Sequence, residues 1–194
     1  MEEIIQNPIA EVVYNITNQE EDVAFRAFQK KYVYKKSVIH TVLFSLIAAL
    51  FLYQGLVDTS YTLAWVMAGI CAAFIFFCWY NPHKIRKSLL EALLELEDDK
   101  YCLKLYDEYF SIKTILNDDE IDAEENEPED IPPRIVTFEK DPVEVIENEN
   151  QFILIMKKQT IYTFPKRCMD GDTVLRISGF FKEKLGDRYE LSPT

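Results

Sequence analysis

The chain has 194 residues, of which 48 % are hydrophobic and 28 % are charged, enough for one modest domain together with a membrane anchor. Its 33 acidic residues outnumber its 21 basic residues, so the net charge is −12. The acidic excess is confined to residues 88–194, which carry 26 acidic and 13 basic side chains. Residues 1–87 carry 7 acidic and 8 basic side chains. Such a chain repels a phosphate backbone, which excludes nucleic-acid binding as a function class.

Residues 1–36 predict a short strand followed by an amphipathic helix. Residues 10–16 are rich in β-branched and aromatic side chains with partial alternation, as in a strand. Thr17 and Glu20 have the spacing of a capping box, so we predict a helix over residues 19–36. We expect the basic second half of this helix to continue into the segment that follows.

Residues 37–80 predict a transmembrane hairpin. Neither residues 37–57 nor residues 59–83 contain Asp, Glu, Lys or Arg. A spanning helix needs about 20 apolar residues, so we predict spans over residues 38–57 and 61–80. Aromatic residues typical of membrane interfaces lie at the span ends: Tyr53, Tyr61, Trp79 and Tyr80. The alternative is a pair of helices buried in a soluble core.

Basic residues flank the two predicted spans. They are Arg26, Lys30, Lys31, Lys35 and Lys36 before the first span, and Lys84, Arg86 and Lys87 after the second. The segment between the spans carries one charge, Asp58. The positive-inside rule therefore predicts a two-pass protein of the cell membrane, in contact with the lipid bilayer and with both termini in the cytoplasm.

Small residues recur at a spacing of four in the second span, at positions 68, 69, 72 and 73. Such spacing lets two helices approach closely. We expect this face to pack on Ser45 and Ala49 of the first span, which have the same spacing. A homodimer formed through the same face is the alternative.

Residues 81–98 predict a juxtamembrane helix. Pro82 is compatible with the first turn of a new helix and with a kink in a helix that continues from the second span. Apolar residues at helical spacing form a stripe: Ile85, Leu89, Leu93 and Leu96. We expect the stripe to pack against the helix of residues 19–36, with self-association as the alternative.

Residues 99–194 predict a small β domain. Six alternating or apolar runs predict strands at residues 102–106, 109–115, 134–139, 143–147, 151–156 and 160–164. We expect the extended N-terminal segment to supply a seventh strand. An amphipathic helix is predicted over residues 171–185, so the domain is expected to be a curled antiparallel sheet capped by a C-terminal helix.

Residues 117–130 contain nine acidic side chains and no basic one. A run of this composition predicts a solvated loop. A calcium-binding loop is the alternative, although the run lacks the spaced Asp, Asn and Gly residues of an EF-hand.

Several stretches of the C-terminal part carry a resemblance to a known family: residues 106–112, 134–138, 143–147, 152–156 and 160–168, the last being Thr-Ile-Tyr-Thr-Phe-Pro-Lys-Arg-Cys. On these stretches the chain resembles the YcxB-like family of bacterial membrane proteins. Residues 106–112 look like the first hairpin of the family's C-terminal domain, and residues 134–138 and 143–147 look like its middle strands. Residues 152–156 and 160–168 look like its closing hairpin and the stretch before the last helix. Residues 116–133 depart from the family because they are longer and more acidic. The resemblance implies an α+β membrane protein with a cytoplasmic domain similar to pleckstrin-homology-like (PH-like) domains, and it implies no established activity.

No pattern of catalytic or cofactor-binding residues is visible. The only histidines are His40 and His83, the five glycines form no G-x-G, and the four cysteines form no C-x-x-C. We therefore predict no catalytic residue, no metal site and no cofactor.

Four basic residues of the C-terminal domain are predicted to form one small basic patch that contacts lipid head groups or a protein partner: Lys157, Lys158, Lys166 and Arg167. The alternative is that they are solvated ends of strands.

These features together predict a non-enzymatic, membrane-anchored binding or regulatory module with a protein partner. Two alternatives stay open. An immunity-type protein would use its acidic domain to bind a basic toxin. An uncharacterised enzyme would use paired carboxylates.

Overall fold

A computed structural model describes residues 7–115 and 132–192. It contains two compact units. Met1–Ala24 and Leu93–Thr194 form one, here called the α+β unit, and Phe25–Ala92 form the other, here called the helical unit. The acidic segment at residues 117–130, for which a solvated loop was predicted, lies outside the described residues.

The strands of the α+β unit form two four-stranded sheets. The first is antiparallel and contains, in spatial order, β1 (Ala10–Tyr14), β2 (Lys100–Leu105), β3 (Tyr109–Ile115) and β4 (Arg134–Thr137). The second contains β5 (Val143–Glu147), β6 (Gln151–Met156), β7 (Thr160–Pro165) and β8 (Tyr189–Leu191), in the spatial order β7-β6-β5-β8.

The predicted strands are confirmed to within a few residues, and β1 is the seventh strand expected from the N-terminal segment. The sheet arrangement differs from the single curled sheet that was predicted. There are two sheets, the second is mixed because β8 runs parallel to β5, and the described strands do not close into a barrel. The sequence did not indicate β8, since three residues are too few to show a period of two.

The described chain also contains four α-helices, α1 (Asn18–Phe28), α2 (Tyr34–Val57), α3 (Thr62–Leu93) and α4 (Gly171–Leu185), and three short 3-10 helices at Leu94–Leu96, Lys166–Cys168 and Gly186–Arg188. The capping box is confirmed, because Thr17 N donates to Glu20 Oε2 at 2.9 Å and Glu20 N donates to Thr17 Oγ1 at 3.3 Å. A π-helical segment, Gln29–Val33, joins α1 to α2, so one helical run extends from Asn18 to Val57 as predicted.

Pro82 lies inside α3, so the second of the two predicted alternatives, a continuous helix, is the one observed. Proline has no N–H, and the carbonyl of Cys78, four residues earlier, therefore loses its helical partner. The buried Ser37 hydroxyl of α2 replaces that partner by donating to Cys78 O at 3.1 Å. Gln29 Nε2 donates to Pro82 O at 2.7 Å. Side chains of the first helical run thus satisfy the backbone around the proline.

In the helical unit, α2 and α3 pack through small side chains. Ala64, Ala68 and Cys71 are buried on α3, and Ser37 and Gly55 are buried on α2. The spacing of four and three residues keeps the α3 side chains on one face of the helix.

The predicted faces do lie opposite each other, because Ser45 and Ala49 of α2 and Ala68, Gly69 and Ala72 of α3 line one open groove, but of these residues only Ala68 is buried. Gly69, Ala72 and Ala73 are exposed on α3, as are Ser45 and Ala49 on α2.

Gly55 and Gly69 provide a matched test of this packing. A Cβ atom on Gly55 would lie 3.0 Å from Trp65 Cε2, whereas nothing lies within 4 Å of a Cβ atom on Gly69. Alanine improves helix propensity at both positions by about 1 kcal/mol. We expect Gly69→Ala to raise the thermal midpoint of the detergent-solubilised chain and Gly55→Ala to raise it less or to lower it. Equal shifts would contradict the close contact at Gly55.

The apolar stripe beyond Pro82 does not pack as predicted. Ile85, Leu89 and Leu96 are exposed, and Leu93 is half-buried. Their contact with the helix of residues 19–36 is therefore wrong, because packed side chains would be buried. Self-association through the stripe stays a prediction.

The core of the α+β unit is aromatic. Phe110 of β3, Phe152 of β6, Phe164 of β7 and Phe181 of α4 are fully buried. The rings of Phe110 and Phe164 lie 6.0 Å apart and join the two sheets, and the rings of Phe152 and Phe181, also 6.0 Å apart, join α4 to the second sheet. Helix α4 therefore covers the core, which confirms the predicted C-terminal capping helix.

The turn between β6 and β7 has two consecutive residues with positive φ, Lys157 at 53° and Lys158 at 56°. This conformation matches a type I′ hairpin turn and favours Asn-Gly, because a Cβ atom costs about 1–2 kcal/mol in the left-handed region. We expect Lys158→Gly to raise the free energy of unfolding by about 0.5–1 kcal/mol. Chemical denaturation measures the change. Lys158→Ala is the control because it removes the charge and keeps the Cβ atom, and an equal gain in both variants would contradict the strain.

Candidate functional site

The four basic residues predicted to contact lipid or a partner do not form one patch. Lys157 and Lys158 lie in the turn before β7, and Lys166 and Arg167 follow its end. A six-residue strand separates the two pairs by roughly 20 Å. The idea of a shared basic patch is therefore wrong, and contact of either pair with lipid or a partner stays a prediction.

Lys166 is held within the α+β unit. Its Nζ lies 2.7 Å from Glu147 Oε1, donates to Asn148 O at 2.6 Å, and lies 4.8 Å from the centroid of the Phe152 ring. Its side chain is 15 % exposed and that of Glu147 is 9 % exposed. The ammonium group of Lys166 therefore stabilises the second sheet.

Arg167 and Lys157 also form ion pairs within the chain. Arg167 Nε donates to Glu20 Oε1 at 2.8 Å, and its Nη2 donates to Asn15 O at 2.9 Å. Lys157 Nζ lies 2.7 Å from Asp141 Oδ1. Burial raises the pKa of Glu20, and the bonds from Arg167 and Thr17 outweigh it and hold that pKa below its ordinary value.

The basic residues that flank the predicted spans lie just before α2 or in its first turn, and in α3 beyond Pro82. Lys30 and Lys31 are in the π-helical segment, Lys35 and Lys36 are in the first turn of α2, and Lys84, Arg86 and Lys87 are in α3 after Pro82. Lys87 pairs with Glu91 at 3.7 Å. Their contact with a membrane surface stays a prediction.

The α+β unit contains a cavity of about 250 Å³, here called the tyrosine cavity, which residues of both sheets and of α1 line. Its wall includes three tyrosines, one acid, one base and one buried hydroxyl: Tyr14, Tyr101, Tyr162, Glu21, Arg134 and Thr163. The remaining wall is mainly apolar. A concave, mostly apolar site with a few polar groups is the usual form of a small-molecule site.

The tyrosine rings form an aromatic wall. The centroids of Tyr14 and Tyr101 lie 5.7 Å apart with the rings inclined by 37°. Burial raises the pKa of Tyr14, Tyr101 and Tyr162, so all three hydroxyl groups are protonated at neutral pH. The cavity therefore presents neutral rings and hydroxyl groups.

Glu21, in the first turn of α1, contributes the carboxyl group. Within residues 7–115 and 132–192 this carboxyl group has no hydrogen-bond or ion-pair partner. Burial, with a smaller contribution from the charge of Glu20, raises the pKa of Glu21 from 4.5 to about 7. An acid with such a pKa is uncommon outside functional sites.

Two further groups define the wall on the side of β4 and β7. The Arg134 guanidinium lies over the Tyr162 ring, 5.4 Å from its centroid. The Thr163 side chain is 1 % exposed, and its Oγ1 has no hydrogen-bond partner in the described part of the chain. A buried hydroxyl without a partner costs about 1–3 kcal/mol, so a ligand that supplies one gains affinity.

Sequence analysis did not identify this site. Glu21 is one of three consecutive acids, Glu20–Glu21–Asp22, and nothing in the sequence distinguishes it from its neighbours. The tyrosines come from strands that are far apart in the chain. The one available signal was β1 itself, because pairing of β1 with β2 brings Tyr14 opposite Tyr101.

Replacing Glu21 with glutamine is expected to stabilise the protein at alkaline pH. The folded-state pKa is raised, so ionisation costs the folded state more as the pH rises from 4.5 towards 7, and the full cost applies above 7. We expect Glu21→Gln to exceed the wild type by about 1–2 kcal/mol at pH 8, after allowance for partial exposure, and to match it near pH 4.5. Denaturation at the two pH values measures the difference, and a pH-independent difference would contradict the raised pKa.

No group of three or more His, Cys, Asp or Glu side chains that could hold a metal ion occurs among the described residues. Comparison with known proteins adds no assignment. No family model matches the sequence, and neither a curated protein nor a solved structure matches it. The resemblance to the YcxB-like family therefore stays a prediction.

Proposed function

We propose that this chain is a two-pass membrane protein whose α+β unit is a non-enzymatic binding or regulatory module in the cytoplasm. In this proposal α2 and the first part of α3 cross the bilayer, and the α+β unit is a YcxB-like, PH-like domain. The tyrosine cavity is its ligand site.

Exposure of the two apolar helices supports the anchor. The helical runs Asn18–Val57 and Thr62–Leu96 each contain an 18-residue segment of high mean hydropathy, 1.8 in the first run and 2.0 in the second. Both runs are long and apolar enough to cross a membrane, by length and composition. Only 6 % of the first segment and 17 % of the second are buried, whereas the core helices of a soluble protein are mostly buried. Exposed apolar side chains such as Leu46, Leu50 and Phe76 need a nonaqueous environment.

Cysteine labelling tests the orientation. In a variant without the four native cysteines, Asp58→Cys lies between α2 and α3, and Glu149→Cys lies in an exposed turn of the α+β unit. An impermeant maleimide added to intact cells should label position 58 only, and both positions after permeabilisation. Labelling of position 149 in intact cells would refute the cytoplasmic location, and fractionation of the chain with soluble proteins would refute the anchor.

The tyrosine cavity is the observation that carries the binding function. It combines apolar walls with an acid whose pKa is raised by burial and a buried hydroxyl group that has no partner within the described residues. Such groups reduce stability, and natural proteins retain them where a ligand uses them.

A fragment screen on the full chain in maltoside micelles tests the binding function. Ile161→Trp fills the cavity, and Ile135→Trp, on the exposed face of β4, is the matched control. We expect fragments that bind the wild type and the control, and lose affinity for Ile161→Trp. Binding that is unchanged by Ile161→Trp, or no binding at all, would refute a ligand site in this cavity.

A further inference from the structure

We infer that the tyrosine cavity binds a primary ammonium cation carried on a short apolar chain. This inference rests on the proposed binding function and names the class of ligand. It follows from four features of the cavity wall: aromatic rings, a carboxyl group and a buried hydroxyl group that have no partner among the described residues, and an internal cation already placed over one of the rings.

The aromatic faces favour a cation. The ring of a tyrosine has a negative face, which attracts an ammonium group within about 6 Å of its centroid. Tyr14, Tyr101 and Tyr162 all line the cavity, and a cation inside it meets more than one ring. Apolar neighbours such as Ile112 and Ile161 suit the carbon chain of the ligand.

Arg134 indicates that the site accepts a positive charge. Its guanidinium rests over the Tyr162 ring, 5.4 Å from the centroid. The chain therefore places its own cation on a face of the cavity. A ligand cation competes with this guanidinium for the ring, which predicts that removal of Arg134 strengthens binding of the ligand.

Glu21 and Thr163 supply what a primary ammonium group needs. The ammonium group has three N–H donors and one positive charge. Glu21 offers a carboxyl group at the cavity wall. Thr163 Oγ1 has no hydrogen-bond partner among the described residues and is fully buried, so it accepts from a ligand only where the ligand displaces the atoms that cover it. A carboxylate that accepts from an ammonium group forms a charge-assisted hydrogen bond, about twice as strong as a neutral one.

The net charge of the chain also favours a cationic ligand. Residues 88–194 carry 26 acidic and 13 basic side chains. The net charge of the whole chain, −12, therefore attracts cations and repels anions at long range.

Three probes of equal length separate the ligand classes: butylammonium, 1-butanol and butyrate. Titration of the full chain in maltoside micelles, followed by ligand-observed NMR, should show saturable binding of butylammonium, weaker binding of 1-butanol and none of butyrate. Glu21→Gln should weaken butylammonium binding about tenfold and leave 1-butanol unchanged. Asp22→Asn, which removes the adjacent charge outside the cavity, should change neither by more than about twofold.

The variant Arg134→Gln should change butylammonium affinity in the direction opposite to Glu21→Gln. For a cation site it should strengthen butylammonium binding several-fold, whereas for an anion site it would abolish binding. Denaturation at pH 8, where Glu21→Gln is expected to be more stable than the wild type, checks that its loss of binding is not a loss of folding.

The pH dependence of binding tests whether Glu21 is the partner of the ammonium group. Charged and titratable groups around it are Tyr14 of β1, Glu20 of α1, Tyr101 of β2, Arg134 of β4 and Tyr162 of β7. The three tyrosines have a raised pKa and Glu20 has a lowered one, so Glu21 is the member of this set that changes charge near pH 7. Butylammonium affinity should therefore rise between pH 6 and pH 8, where Glu21, with a pKa of about 7, becomes ionised. Affinity in Glu21→Gln should be independent of pH in this range.

Two outcomes would overturn the inference. Butyrate binding that Arg134→Gln abolishes would make the cavity an anion site, and the proposed binding function would stand. Absence of saturable butylammonium binding would also refute the ammonium ligand. The fragment screen with Ile161→Trp then decides independently whether the binding function itself fails.

Discussion

Replacing Glu147 with alanine is expected to cost the α+β unit about 3–5 kcal/mol of its free energy of unfolding. Glu147 lies at the end of β5 and accepts hydrogen bonds from Lys166 Nζ at 2.7 Å, from Ser178 Oγ at 2.8 Å and from the Tyr189 hydroxyl. Its removal leaves the Lys166 ammonium charged and largely buried without a counterion. Hydrogen exchange of the β5 and β6 amides in the full chain measures the loss locally.

The double variant Glu147→Ala with Lys166→Met separates the lost ion pair from the lost side-chain volume. Because it removes the orphaned charge, we expect it to recover more than half of the stability lost in Glu147→Ala. A double variant as unstable as Glu147→Ala would show that packing, and not the buried charge, causes the loss.

Low pH should weaken the hydrogen bonds that Glu147 accepts. Burial raises the pKa of Glu147, but the hydrogen bonds from Lys166, Tyr189 and Ser178 outweigh it and hold the pKa below its ordinary value. A depressed folded-state pKa contributes stability above the unfolded value, near 4.5, and this stability is lost as the pH falls through the folded value. The stability of Glu147→Gln should therefore vary less with pH in this acidic range.

Replacing Phe110 with alanine is expected to destabilise the α+β unit by about 3–5 kcal/mol, comparable to loss of Glu147. Phe110 is fully buried on β3, and its ring lies 5.7 Å from that of Tyr162 and 6.0 Å from that of Phe164, both on β7. The ring thus joins the first sheet to the second. Its loss leaves a cavity and removes edge-on aromatic contacts.

Phe110→Leu is the matched control, since it retains apolar volume and should cost less than half as much as the alanine variant. Chemical denaturation, with tyrosine fluorescence as the probe, reports both variants. An alanine variant that loses less than about 1 kcal/mol would mean that the two sheets are not joined through this ring. Because Tyr162 also lines the tyrosine cavity, Phe110→Ala should also weaken ligand binding there.

Features with a short-range signal were predictable from the sequence. The strands β3, β5 and β6 and helix α4 were predicted with the bounds observed, because each is an apolar run of the right period between clear turn or cap residues. The capping box at Thr17 is a pattern of four residues and needs no distant partner. The two apolar helices follow from the absence of charge over more than 20 consecutive residues.

Features that depend on distant partners were not predictable. The Ser37 hydroxyl bonds the Cys78 carbonyl that Pro82 leaves free, across 41 residues of sequence. The apolar stripe at Ile85 and Leu89 has a regular period, yet these side chains are exposed, because periodicity shows which residues share a face and not what covers it. The basic residues Lys166 and Arg167 are neighbours of carboxylates that come from other elements.

By itself the sequence determined the segregation of this protein into an apolar helical pair and an acidic α+β unit, since charge and hydrophobic period are properties of consecutive residues. Only the tertiary structure decided which acids are paired. Glu20 and Glu21 are adjacent in the chain, but Glu20 meets Arg167 and Glu21 faces the tyrosine cavity. The physical reason is that burial and counterions set the state of a carboxyl group, and both come from residues that the fold brings from far along the chain.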